Sequence, residues 1–401
     1  MNDNTTIDGR VVAEVGSLYE RLQELEDQRQ RRGVRYPLPV LLVMVLLAKL
    51  AGEDKPHGIA AWLKHRRETL CRSLGFERGT TPHATTVGRV LGGAVVVEAL
   101  DRLVGEYLAV IQAPAEGAKG DDGQPLEPLA MDGKTLCGTI PRGQTQGVHL
   151  LALYSPTQEG VRRQAVVDRR ENEIVVAPQL LKTLDLTGKL ITGDALHAQV
   201  GLAEQIVDNG GDYLFVVKAN QPHTFAALQR LFTEPEMRPG FSPVAKDFRQ
   251  AVVCNKAHGR RERRCLTASS MLNDYLAWPG LAQVMSIERQ AVDMVTGVIT
   301  HQKRYAITSL SPDRASARTL LHLQRQHWQI ENGLHYRRDV TFAEDASQVR
   351  NPRAQRVMAS LNNLALGIIR CFRRFPSVPD ERRLYDARPE LALRLLLAAH
   401  S

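Results

Sequence analysis

An ordered alternation of short apolar runs and helical stretches between residues 129 and 232 constrains this chain more than any other feature. Runs at 129–136, 149–154 and 163–167 read as three successive strands. Helical spacing follows at 173–184, a fourth strand at 190–192, a helix at 198–208, a fifth strand at 213–218 and a further helix at 223–232. Three strands, a helix, a strand, a helix and a strand describe a mixed α/β sheet.

The flanks differ in character. Residues 1–112 read as an all-α N-terminal domain for assembly or DNA binding, with helical spacing at 11–30, 59–70 and 85–108. The run LPVLLVMVLLAKLA at 38–51 is too short to span a bilayer and is interrupted by Lys49, so it reads as a buried helix. The segment at 81–93, TPHATTVGRVLGG, is compatible with a DNA-recognition helix and with an ordinary capped helix. A linker rich in Gly, Pro and acids occupies 113–128. A β-rich insertion is predicted at about 233–300, with a hairpin turn at Thr296-Gly297. One long helix is predicted over 315–338 and another over 351–372, with Pro352 in its first turn. Residues 376–401 form a tail with a short helix.

Net charge is +8 and the isoelectric point about 9.3. Basic residues cluster at 29–35, 260–264, 337–338 and 370–374, which favours a polyanionic partner, with solvated helix faces as the ordinary alternative. Five scattered cysteines without a CxxC pair give neither a zinc ribbon nor a disulfide framework, and fit a reducing cytoplasm.

Three acids stand out against this frame: Asp132 in PLAMDGKTLCG, Asp194 in KLITGDALHAQ and Glu331 in HWQIENGLHYRRD. Taken singly, each has an ordinary alternative: a turn at Asp132-Gly133, a helix N-cap at Asp194, and an exposed charged face at Glu331. Taken together they form the oxygen-rich set that hard divalent cations prefer. The order of elements is that of a ribonuclease-H-like fold, where the first strand and the end of the fourth lie side by side. A helix-borne third carboxylate would complete a site for two ions about 3.5–4 Å apart, the arrangement used for phosphodiester chemistry. His327, Glu331 and His335 also lie on one helical face, an arrangement compatible with a zinc site although it spans more than two turns.

MDGKTLCG, DLTGKLITGDALHAQ, GGDYLFVVKANQP, HGRRERR and HWQIENGLHYRRDVTFAEDASQVR together resemble the DDE transposases of bacterial insertion sequences, in particular the H-repeat-associated family. The N-terminal RRGVRYPLPVLLVMVLLAKLAG is similar to that family's associated helical domain. The resemblance spans roughly residues 18–375 and implies a ribonuclease-H-like catalytic domain at 129–375. It implies Mg²⁺-dependent strand cleavage and transfer at element ends, with two Mg²⁺ ions (Mn²⁺ substituting) held by Asp132, Asp194 and Glu331. It also implies double-stranded DNA as partner, both terminal inverted repeats and target, and a homodimer on that DNA in a bacterial cytoplasm. A relative that binds DNA without cutting is the alternative. The wider group carries Tyr, Arg and Lys around the catalytic Glu, where this chain has Gln324, His327 and Arg338. Candidate DNA contacts are Lys134, His197, Lys218, Asn220, Gln221, His258, Arg260, Arg263, Trp328, Asn332 and Arg338. Among them Trp328 is a candidate for base stacking and His197 for facing the scissile phosphate.

Overall fold

The computed structural model describes residues 17–398, except 33, 76–78, 113–116, 141–142, 144–146, 169–170, 234–246, 258 and 348. Six helices come first: α1 (Leu18–Gln23), α2 (Leu38–Leu50), α3 (Pro56–His65), α4 (Arg67–Ser73), α5 (Ala84–Gly93) and α6 (Val97–Ile111). The apolar run at 38–51 is helix α2, begun by Pro37 and Pro39 and buried on every side, as a helix without a polar face must be. Lys49 is buried within it, its Nζ 3.4 Å from Asp54 Oδ1, and burial pulls its pKa down.

Two N-terminal expectations are corrected. Among the described residues of the 11–30 stretch only α1 is helical, closed at its start by a Ser17/Glu20 capping box; residues up to 16 lie outside the described set. The stretch 85–108 is two helices, α5 and α6, because Val95 leaves the helical path to bridge Asp27 and to accept two hydrogen bonds from Arg353.

The middle of the chain contains β1 (Glu127–Leu136), β2 (Val148–Ser155), β3 (Gly160–Val167), α7 (Glu173–Leu181), β4 (Lys189–Gly193), α8 (Val200–Asp208), β5 (Asp212–Val217) and α9 (Pro222–Thr233). Four longer strands follow: β6 (Arg249–Ala257), β7 (Arg260–Ser269), β8 (Gln283–Asp293) and β9 (Ile299–Thr308). All nine belong to one mixed sheet, ordered β3-β2-β1-β4-β5-β9-β8-β7-β6. Strands β1, β4 and β5 run parallel, whereas β2, β3 and β9 run antiparallel to their neighbours. The β-rich stretch therefore continues the same sheet, joined where β9 pairs with β5. Its predicted turn is present, with Asp293 accepting from the Val295 and Thr296 amides and Gly297 at φ +70°.

Alternation along β1 sends Leu129 and Met131 toward α7, α8 and α9, and Ala130 toward the N-terminal helices. The long helix predicted over 315–338 does not form as one piece. Helix α10 (Ala317–His327) ends, and the chain continues in two wider turns of π-helix, Ile330–His335 and Arg337–Thr341. The widened turns let Ile330 and Leu334 enter the core while Glu331 stays exposed. Helix α11 (Pro352–Phe372) then crosses the α6 face of the molecule, with Asn351 as its N-cap. The C-terminal stretch makes two helices rather than one, α12 (Val378–Ala387) and α13 (Pro389–Leu397), both packed on α2. No described helix is long and apolar enough to cross a membrane.

Candidate active site

Strands β1 and β4 pair in parallel, with Met131 opposite Gly193. Asp132 is the next residue on one and Asp194 the next on the other, so the pairing brings two carboxylates to adjacent positions at the β4 end. The first π-helical turn lays Glu331 over Asp132. Burial raises the Glu331 pKa; nearby His335 lowers it, and the hydrogen-bonded Asp132 raises it further. His335 Nε2 lies 3.2 Å from Asp132 Oδ2. His327 hydrogen-bonds Thr192 Oγ1 through Nδ1 at 3.0 Å. Burial lowers the His327 pKa while Asp132 and Asp194 both pull it up, so this imidazole lies within the field of both aspartates.

On the opposite face, Asp194 Oδ1 accepts from the Leu196 amide at 2.8 Å and lies 3.2 Å from His197 Nδ1. His197 Nε2 is 3.1 Å from Glu173 Oε2, and Glu173 Oε1 is 2.7 Å from His149 Nε2. Burial works against a charge on His197, but Asp194 and Glu173 outweigh it and raise its pKa to about 9. Burial alone would raise the Glu173 pKa, yet its two histidines bring it down to about 2.

Several of the expected DNA contacts are corrected by this geometry. His197 is buried between two carboxylates and cannot face a phosphate. Lys134 is buried, with its Nζ 2.5 Å from Asp339 Oδ1 and 3.5 Å from Asp345 Oδ1. Arg338 has no exposed surface: its Nε donates to Glu344 at 2.8 Å and its Nη1 to Gln164 at 3.1 Å. The Asn220 amide binds the Ala195 carbonyl, and the Gln221 amide donates to the Ala198 carbonyl at 2.8 Å, so both brace the loop after Asp194. His258 lies outside the described residues. Lys218, Arg260, Arg263 and Asn332 are exposed. Trp328 is 44% exposed, with the Arg304 guanidinium 4.9 Å from its ring centroid.

Beside Glu331, a cleft of about 590 Å³ opens between β7–β9 and α10. Arg264, Arg289, Arg304, Arg325, Trp328 and Asn332 are among its lining residues. Sequence patterns alone do not single out Glu173, His149 or Arg304, and they place His335 on the Glu331 face without showing its contact with Asp132. The basic run around Arg264 and the candidates Trp328 and Asn332 signal this surface, whereas Arg289 and Arg304 come from separate strands.

The oxygen chemistry of Asp132, Asp194 and Glu331 suits a hard divalent cation, and the Asp132–Glu331 contact is one that a cation between them would relieve. Among the described residues, no three His, Cys, Asp or Glu side chains stand grouped as a ready-made metal centre. The His327/Glu331/His335 zinc arrangement is corrected, since the two histidines turn to Thr192 and Asp132.

Residues 124–368 match the family described as Transposase DDE domain, and residues 19–108 match a family described as associated with it. The protein described as "Putative transposase YncI" from Escherichia coli O157:H7 is 30% identical over 365 residues, covering 89% of this chain and 88% of its own length. "H repeat-associated putative transposase YhhI" from Escherichia coli K12 is 28% identical over 368 residues, covering 89% and 91%. "Putative protein YbfL" from the same strain is likewise 28% identical over 368 residues.

Proposed function

The chain belongs to the DDE transposase family, and we propose that it cleaves and rejoins DNA strands at the ends of a mobile element, with Asp132, Asp194 and Glu331 as the catalytic acids. The observation that carries the reading is the register of β1 against β4, which sets two aspartates side by side beneath the turn bearing Glu331. Strand order β3-β2-β1-β4-β5 supports a ribonuclease-H-like core within the larger sheet.

The three acids would hold two Mg²⁺ ions, or Mn²⁺ in their place. Such ions, when bound, supply the charge that activates an attacking oxygen and stabilises a departing one. The protein's own residues position the acids. His335 holds Asp132 from one side, and the Leu196 amide and His197 hold Asp194 from the other. His327, anchored on Thr192, keeps a weakly basic imidazole near both aspartates. The cleft beside Glu331 is lined by guanidinium and amide groups suited to phosphates, with Trp328 available for stacking on a base. Exposed Lys218, Arg260 and Arg263 extend the basic surface. Two element ends must be held together for transfer, so the working form is a homodimer on DNA.

The test is cleavage of labelled element-end DNA in Mg²⁺ by the wild type and by Asp132→Asn, Asp194→Asn and Glu331→Gln. Each variant is expected to lose cleavage and to keep DNA binding. Full cleavage by Asp132→Asn would overturn the site. Binding without cleavage by the wild type, in Mg²⁺ or Mn²⁺, would make the chain a non-cutting DNA-binding relative.

A further inference from the structure

The two strand-borne acids are each flanked by a glycine, Gly133 after Asp132 and Gly193 before Asp194. Neither glycine has a positive φ, so backbone conformation does not require them. Space does. A Cβ at Gly133 would collide with the Glu173 carboxylate and His149 Nε2, and one at Gly193 would lie 2.8 Å from His197 Cβ. Both glycines therefore make room for the same group of side chains, on the sheet face opposite Glu331.

That group is a continuous line of close polar contacts, hydrogen-bonded at its His149 end and ion-paired at its His197 end. Thr135 Oγ1 on β1 lies 2.9 Å from His149 Nδ1 on β2. His149 Nε2 meets Glu173 Oε1 at the start of α7 at 2.7 Å, Glu173 Oε2 is 3.1 Å from His197 Nε2, and His197 Nδ1 is 3.2 Å from Asp194 Oδ1. His197 is 1% exposed, so no water competes for its ring nitrogens. Asp194 itself is half exposed, with His197 and the Leu196 amide both on Oδ1 and neither on Oδ2.

We propose that Glu173 is a positioning residue for Asp194: acting through His197, it fixes one oxygen of that carboxylate so that the other is presented to a divalent cation, and Gly133 and Gly193 are small so that this relay fits. The inference rests on the reading of Asp194 as a metal-binding acid. Outer partners that orient a ligating side chain typically change metal affinity by about 10- to 100-fold when removed. Neutralising Glu173 leaves His197 without its second carboxylate and frees it to turn away from Asp194. An added methyl at Gly133 acts on the same relay by displacing both the Glu173 carboxylate and the His149 ring, with no backbone atom among its three nearest neighbours.

The test is Mn²⁺ titration of the full chain, read as thermal stabilisation of the protein without DNA. Glu173→Gln and, separately, Gly133→Ala are expected to raise the half-saturating Mn²⁺ concentration by about tenfold or more. Both variants should stay folded without metal but melt below the wild type, because a buried partner of His197 is lost or displaced, and each midpoint is read against the variant's own metal-free melting temperature. In an Asp194→Asn background, Glu173→Gln should add no further shift, since its route to the metal has been removed. If Asp194→Asn moves the midpoint and Glu173→Gln does not, the positioning role is overturned while the active-site assignment stands. An equal Glu173→Gln shift in both backgrounds would overturn it too, by showing an effect that bypasses Asp194. A wild-type midpoint for Asp194→Asn would overturn the metal reading and this proposal together. Unfolding of both Glu173→Gln and Gly133→Ala without metal would make the relay a folding element and not a positioning one.

Discussion

Arg338 separates what its charge implies from what its surroundings permit, and Arg338→Met tests the difference. The guanidinium is fully buried, donating from Nε to Glu344 Oε2 at 2.8 Å and from Nη1 to Gln164 Oε1 at 3.1 Å. Glu344 is itself 4% exposed, so removing the arginine strands a buried carboxylate. Breaking a buried ion pair from one side costs about 3–5 kcal/mol. Two partners survive the change: Asn362 Nδ2 still donates to Glu344 at 3.0 Å and Asn363 Nδ2 to Gln164 at 3.0 Å. The low end, about 3 kcal/mol, is therefore expected. Adding Glu344→Gln to Arg338→Met removes the stranded charge and should recover at least half of that loss. The assay pairs urea unfolding with DNA affinity measured across a range of salt concentrations. A phosphate contact would show itself differently: its loss would lower the slope of log affinity against log salt by about 0.9 and leave stability nearly unchanged. An Arg338→Met variant that loses under about 1 kcal/mol of stability and shows that shallower slope would refute the buried assignment.

Asp101 gives a pH signature. Burial raises its pKa to about 7 despite hydrogen bonds from Ser360 and Gln164 and the nearby charge of Arg356. The folded chain therefore keeps a proton that the unfolded chain loses above about pH 4, so this group's contribution to stability falls as pH rises from about 4 to 7. Relative to wild type, Asp101→Asn should gain about 3 kcal/mol between about pH 4.5 and pH 8; a pH-independent difference in unfolding free energy would sink the assignment. Trp328 supplies an optical readout, because Trp62 and Trp278 are buried and it alone of the three tryptophans is exposed. DNA should quench the intrinsic fluorescence, Trp328→Leu should abolish the change and weaken binding by about 1–3 kcal/mol, and an unchanged spectrum on DNA addition would remove Trp328 from the interface.

The strand pattern is legible in the sequence because burial on both faces leaves short apolar runs that nothing else in the chain imitates. Gly193 and Asp194 mark the end of β4, whereas Asp132 and Gly133 lie within β1, just past the point where its pairing with β4 stops. Less legible are residues whose role depends on a partner remote in sequence. Lys134, His197 and Arg338 look like phosphate ligands in a basic chain, yet each is buried against carboxylates that the sequence does not place beside it: Asp339, Glu173 and Glu344. The end of α10 is hidden for a different reason. No proline or glycine breaks the spacing between 315 and 332, and the π-helical turns arise from tertiary demands. Ile330 and Leu334 must reach the core, Arg370 Nη2 donates to the Gly333 carbonyl at 2.7 Å, and Tyr154 packs where a side chain at 333 would stand.

Those tertiary demands bear on the N-terminal helices. Ile330, Leu334 and Phe342, which bracket the Glu331 turn and the Arg338 turn, belong to the same apolar cluster as α2, α5, α6 and α11. Asp101 on α6 joins the polar counterpart of that cluster, since Gln164 donates to Asp101 and accepts from Arg338. The helix-borne acid thus sits on a turn whose apolar residues share one cluster with the N-terminal helices, α11, α12 and α13, while the two strand acids are set by the sheet. A helical domain placed before a sheet-based enzyme is readily pictured as a separable DNA-binding or assembly module. Here its apolar surface belongs to the same cluster as Ile330 and Leu334, the two apolar residues of the turn that carries Glu331.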